Sequence, residues 1–217
     1  MAHRKPIIGI VGGIGSGKSY VSKLFGQLGC LVIDSDQQVR DAYQREDVRK
    51  TLREWWGDGV FKTDGTVNRS AVGARVFSST PDRHRLERLL HPLVADERQK
   101  LMERHATDPQ VLAFVWDTPL LFETGLDGQC DKVVFVDAAR DVRLERVRTT
   151  RGWDEPELSR RENLQWPLDR KRQISDYVVT NATDADDVRG QVQNVLSRII
   201  DETTSPRKGL SPHGEVE

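Results

Sequence analysis

The residues best suited to chemistry begin with Gly12-Gly13-Ile14-Gly15-Ser16-Gly17-Lys18-Ser19, which reads G-x-x-x-x-G-K-S. From average residue frequencies, a chain of this length matches that pattern by chance about once in a hundred. Its glycines let consecutive backbone N–H groups turn inward around phosphate oxygens where Cβ atoms would obstruct, and a following helix adds its positive end. In such a loop Lys18 neutralises the β- and γ-phosphates of a nucleoside triphosphate, and the Ser19 hydroxyl holds Mg²⁺. A pair of carboxylates, Asp34 and Asp36, follows the apolar run Cys30-Leu31-Val32-Ile33. On an extended chain they share one face with Ser35 on the other; the alternative is that one of them caps the next helix. Asp117 ends the apolar run Val111 to Trp116 and could orient Mg²⁺ through water or contact substrate. Asp137 ends a similar run, but helix follows it directly and it reads as a cap.

A last group is arginine-dense: Arg140, Arg143, Arg146, Arg148, Arg151, Arg160, Arg161, Arg170 and Arg172, with Lys171 among them. Interspersed acids make surface ion pairs the expectation for most of these. One or two guanidiniums on a closing lid would suffice to meet charge developing on a γ-phosphate.

These residues need a frame. The loop follows the apolar run Ile7 to Val11, and Val21, Leu24, Phe25 and Leu28 recur after it at helical spacing, so the order is strand, loop, helix. Gly29 stops that helix. Further strands are expected at 30–33, 111–116, 132–136 and 177–180, each ending near one of the polar residues above, or at Asn181. In open α/β sheets ligands bind at that edge. From Gln37 to about Thr107 the pattern is helical. Val48, Leu52, Trp55 and Trp56 form one stripe, Asn68 could cap the next helix, and a helix from Thr80-Pro81 is expected to kink or split at Pro92. His91 sits at that expected break, as a structural or a substrate-contacting residue. Gly152 and the Asp154-x-x-Glu157 pattern mark a hinge within the arginine-rich segment. Val188, Val192, Val195, Leu196 and Ile199 make an amphipathic closing helix.

The reading is one α/β core, residues 1–36, 108–145 and 172–201, with a helical insertion at 37–107 that binds the second substrate. An arginine-rich lid at 146–171 and a disordered tail at 202–217 complete it. With 33 Lys+Arg against 34 Asp+Glu, the formal net charge of −1 suggests neither a nucleic-acid nor a membrane partner. Cys30 and Cys130 have no metal-ligand spacing and read as reduced thiols, and no leader or membrane span is apparent, which suits the cytoplasm.

Between about residues 7 and 181 the chain resembles the dephospho-CoA kinases. The resemblance is carried by the glycine loop; Ile33-Asp34-Ser35-Asp36; Asn68-Arg69 with Val76-Phe77; Leu89-Leu90-His91-Pro92-Leu93; Pro119-Leu120-Leu121-Phe122-Glu123; Arg161 and Gln165; and Lys171 with Asp176 to Asn181. It implies a P-loop NTPase fold with a five-stranded parallel sheet, similar to the nucleoside monophosphate kinases. It also implies transfer of the ATP γ-phosphate to the ribose 3′-hydroxyl of dephospho-CoA. On that pattern Asp36 matches a general base or hydroxyl-orienting residue, Arg146 an arginine that grips phosphate, and Asn181 a residue near adenine. Gly12 to Ser19 with Tyr20 would hold ATP, and Asp34, His91, Asp117, Leu121, Arg161 and Gln165 the acceptor. Val11 departs from the family's usual Thr, so no hydroxyl role carries over there. A kinase with another nucleoside or nucleotide acceptor, and a nucleotide-dependent switch, share the loop; against the switch, no Asn-Lys-x-Asp motif occurs.

Overall fold

The computed structural model describes residues 4–181 and 184–204. Its strands are β1 (Ile7–Gly12), β2 (Leu31–Asp34), β3 (Phe114–Asp117), β4 (Lys132–Asp137) and β5 (Tyr177–Thr180). All pair in parallel, in the order β2-β3-β1-β4-β5. The helices are α1 (Lys18–Gln27), α2 (Ser35–Ala42), α3 (Glu46–Trp56), α4 (Arg69–Ser78), α5 (Thr80–Arg104), α6 (Arg140–Arg151), α7 (Glu155–Glu162), α8 (Leu168–Gln173) and α9 (Ala185–Thr204). This is the expected α/β fold, with a five-stranded parallel sheet flanked by helices.

The continuous apolar runs become strands because both sheet faces are covered. Ile8 and Ile10 of β1 enter one core with Val134 and Val136, under Val21 and Phe25 of α1 and Val192 and Ile199 of α9. Ile7 and Val11 point the other way, into a core with Trp116, Val133 and Phe135 that Leu101, Met102 and Leu168 help to cover. A third core, built from Val48, Leu52, Val72, Leu86 and Leu90, belongs to the insertion between β2 and β3. Trp55 and Trp56, half-buried, pack against it, edge to face with each other at 5.8 Å.

Several local expectations are corrected. Asp34 and Asp36 do not share a strand face: β2 ends at Asp34, whose carboxylate accepts the Gln37 N–H at 3.0 Å and caps α2, leaving Asp36 in the helix's first turn. Capping satisfies an orphan helical N–H and overrides strand alternation. Pro92 does not split its helix, because α5 runs unbroken from Thr80 to Arg104. A proline removes one backbone bond, while buried Leu86, Leu90 and Arg98 on both sides hold the helix to its neighbours. Asp137 is no cap. Ala139 takes that position with no side-chain bond, and Asp137 pairs instead with Arg172. The helix α9 also continues past residue 201: Glu202 pairs with Lys132 at 2.8 Å and accepts from the Tyr177 hydroxyl at 2.6 Å. The rest of the expected tail, residues 205–217, lies outside the described residues. Asn68, Gly152 and Asp154 do end or begin helices as read: Asn68 and Asp154 cap α4 and α7, and Gly152 closes α6 at φ 68°.

The sheet's C-terminal edge delivers the polar residues together. Asp34 lies opposite Asp117 in the β2–β3 register, and Asp117 opposite Ile10, two residues before Gly12. Gly12 must be glycine: at φ 153°, a Cβ there would lie 2.5 Å from the Val136 carbonyl oxygen on the adjacent strand. A backbone atom in a central strand cannot retreat. Gly12→Ala is therefore expected to destabilise the fold by roughly 2 kcal/mol, several degrees in Tm, measurable by thermal unfolding.

Candidate active site

The glycine loop spans the gap between β1 and α1, with Gly17 in the left-handed region at φ 88° as the residue before α1. Its carbonyls are held from outside. Arg143 donates to the Ile14 carbonyl at 3.2 Å and Arg146 to that of Ser16 at 3.2 Å. Asn181 Nδ2 donates to the Ser16 carbonyl at 2.7 Å. That contact also explains Gly17, whose Cβ would stand 2.1 Å from Asn181 Nδ2. With carbonyls engaged behind, the loop N–H groups and the α1 N-terminus remain for an anion.

Lys18 spans this loop, with Nζ donating to the Gly12 and Gly13 carbonyls at 3.1 and 3.3 Å. Burial pushes its ammonium down to about 8, only partly offset by Asp117, and the charges of Lys171 and Arg151 push the same way. A cation so placed calls for an anion.

A cavity of about 830 Å³ opens over the loop. Its floor is Ile14, Gly15, Gly17, Lys18, Ser19 and Tyr20. One wall carries Asp34, Asp36, Arg40, Asp117, Pro119 and Leu120; the other carries Arg146, Arg151, Trp153, Arg161, Leu164 and Gln165. Asp34, Asp36 and Asp117 thus stand on the β2–β3 side of the lysine, with Arg40 among them, and Arg146, Arg151 and Arg161 on the α6–α7 side. Asp117 is buried, and that burial pushes its carboxyl up against the pull of the Ser19 hydroxyl and Lys18. Asp34 is also salt-bridged to Arg40 at 3.5 Å.

The structure therefore brings Asp34, Asp36, Asp117, Arg146, Arg161 and Gln165 to the loop's cavity. It does not bring His91, which is exposed on α5 beside a separate hollow with His84, Glu87, Arg88 and Pro92. Nor does it bring Leu121, fully buried in the core beneath the sheet, while Leu120 faces the cavity. Gly12, Gly13 and Ser16 shape the loop from below, and Asn181 is buried behind it.

Sequence reasoning passed over Arg40, Trp153 and Leu164 as lining residues, and it placed Arg143 among surface arginines. Arg143 is buried, paired with Glu162 and bonded to the loop; its signal was position, one turn before Arg146 on the same helix. Trp153 follows Gly152 and has the Arg161 and Arg151 guanidiniums over its ring at 4.0 and 4.8 Å.

The sequence profile of dephospho-CoA kinase matches residues 6–187. Among relatives, the dephospho-CoA kinase of Syntrophotalea carbinolica is 34% identical over 208 residues, covering 95% of this chain and 96% of its own. That of Geobacillus kaustophilus is 36% identical over 194 residues, covering 88% and 95%. Of solved structures, a Thermus thermophilus protein superposes with a TM-score of 0.76 at 32% identity, covering 90% of this chain and 98% of that one. A Campylobacter jejuni dephospho-CoA kinase does so with a TM-score of 0.66 at 20% identity, over 90% and 98%, which speaks to the fold. Given the match along most of its length and a phosphate loop facing paired carboxylates, the chain belongs to the dephospho-CoA kinase family, ATP-dependent kinases acting on a hydroxyl acceptor.

Proposed function

We propose that this chain binds ATP on the Gly12–Ser19 loop and dephospho-CoA against the Asp34/Asp36 wall, and transfers the γ-phosphate to the ribose 3′-hydroxyl, giving CoA and ADP. The observation that carries this is one cavity lined at once by Lys18 of the loop, by the carboxylates of Asp34, Asp36 and Asp117, and by Arg146, Arg151 and Arg161. Phosphoryl transfer asks mainly for alignment and for charge to meet the equatorial oxygens. Lys18 supplies that charge from below, and Arg146 and Arg161 from the side. Asp36, at the start of α2, orients the acceptor hydroxyl and takes its proton; because that proton leaves late in a loose transition state, no raised pKa is needed.

The insertion at 37–107 follows Asp36 directly, contributes Arg40 to the cavity and would hold the rest of the acceptor. The segment 146–171 would act as the lid, turning at Gly152. The loop also fits Mg²⁺. The Ser19 hydroxyl lies beside the buried Asp117 carboxyl, a hard-oxygen pair suited to an ion whose remaining ligands are phosphates and water. Among the described residues no three His, Cys, Asp or Glu stand together to hold an ion. Bound there, Mg²⁺ neutralises phosphate charge. Two free cysteines support a reducing cytoplasm, and no described helix is long and apolar enough to cross a membrane.

Incubation with ATP and a panel of acceptors, following ADP release, tests the assignment. Turnover of dephospho-CoA is expected; turnover of a nucleoside monophosphate but not of dephospho-CoA would overturn it. A pH dependence follows from Lys18. Its ammonium titrates near 8 in the free protein, and the triphosphate favours the charged form. Binding of ATP above that pH must therefore take up a proton, so affinity falls by up to about tenfold per unit as pH rises above ~8. Calorimetry in buffers of differing ionisation enthalpy reads the uptake directly. Equal proton exchange at pH 7 and pH 9 would contradict it.

A further inference from the structure

Beneath the arginine wall lies a buried charge pair to which the chemistry above gives no part beyond the push of Lys171 on Lys18. Lys171 of α8 is 1% exposed, yet its Nζ reaches Glu123 Oε1 at 2.7 Å and Gln165 Oε1 at 3.2 Å. The same Glu123 oxygen accepts the Trp166 N–H at 2.9 Å, and the Trp166 ring stacks on Phe122 with centroids 6.0 Å apart. Glu123 lies in the segment that leaves β3, of which Pro119 and Leu120 line the cavity beside Asp117 at the strand's end. Leu164 and Gln165, in the turn between α7 and α8, line it from the other side. The pair therefore joins the two walls.

Stability alone does not call for such a pair, since well-packed apolar residues commonly serve as well or better than buried ions. What the charges add is direction. With its carbonyl oxygen held by Lys171, the Gln165 side chain has one amide orientation, and its NH₂ group is the donor left over at the cavity that Gln165 lines. We propose that Glu123 and Lys171 are positioning residues for the acceptor: their buried pair sets the Gln165 amide and the Leu164–Gln165 turn at the dephospho-CoA site. This rests on the reading of the cavity as that site and of Gln165 as an acceptor contact.

The test compares KM for dephospho-CoA, KM for ATP and Tm across four variants. Gln165→Leu is expected to raise KM for dephospho-CoA about tenfold, the size of one lost hydrogen bond, with KM for ATP unchanged. The double variant Glu123→Gln/Lys171→Met, neutral and of similar volume, should keep Tm within a few degrees and raise the same KM to the same extent. Adding Gln165→Leu to it should raise KM no further. Gln165→Asn keeps the amide but falls short of Lys171 without disturbing the buried pair, so it should behave like the leucine variant even if the double variant does not fold. A silent Gln165→Leu would overturn the acceptor contact and the proposal with it. An effective Gln165→Leu alongside a folded, silent double variant, a silent Gln165→Asn, or roughly hundredfold additive effects, would overturn the role of the pair while leaving the acceptor contact standing.

Discussion

Lys18→Ala is expected to lower kcat on dephospho-CoA by 10²- to 10⁴-fold, with a smaller rise in KM for ATP and an unchanged fold. The ammonium donates two hydrogen bonds, both to loop carbonyls, so its loss removes little that holds the structure together. Its burial, which lowers its pKa to about 8, is a cost that a triphosphate would reverse by bringing compensating charge. Charge grows on the equatorial oxygens only as the phosphoryl group moves, so the larger part of the interaction is realised in the transition state. Steady-state kinetics on the purified variant check this. A kcat near that of the parent would remove Lys18 from the mechanism.

Asp36→Asn is expected to cost 10²- to 10³-fold in kcat, and Asp34→Asn about tenfold or less. The two carboxylates share a cavity but not a job in the fold. Asp34 caps α2 and pairs with Arg40, and asparagine caps a helix nearly as well as aspartate, so that variant keeps its helix. Asp36 is exposed in the first turn of α2, makes no cap there, and is the carboxylate to which the proposed function assigns the acceptor proton. Both variants should melt within a few degrees of the parent. If Asp34→Asn proves the more damaging with its stability intact, the roles of the two are exchanged.

Much of this was legible beforehand for a definite reason. Each strand is an apolar run that stops at a residue able to do chemistry, and a parallel sheet places every such stop at one edge. What failed was local. Strand alternation runs two residues too far, past Asp34 to Asp36, because a helix start and a strand end look alike when the next residues are Ser, Asp and Gln. Leu120 and Leu121 are indistinguishable by type, and only the turn after β3 decides that the first meets the cavity and the second the core. His91 was drawn toward the site by a break at Pro92 that packing prevents. Arg143 and Asn181 support the loop from about 130 and 165 residues away in sequence, and contacts of that range leave no local trace.

The most direct test is a crystal structure with dephospho-CoA and a non-hydrolysable ATP analogue. The expected result is a triphosphate lying along Gly12 to Ser19, Lys18 Nζ on its terminal phosphate, and the ribose 3′-hydroxyl about 3 Å from the Asp36 carboxylate. A complex with that loop bare of phosphate, or with the 3′-hydroxyl turned away from both Asp34 and Asp36, would contradict it.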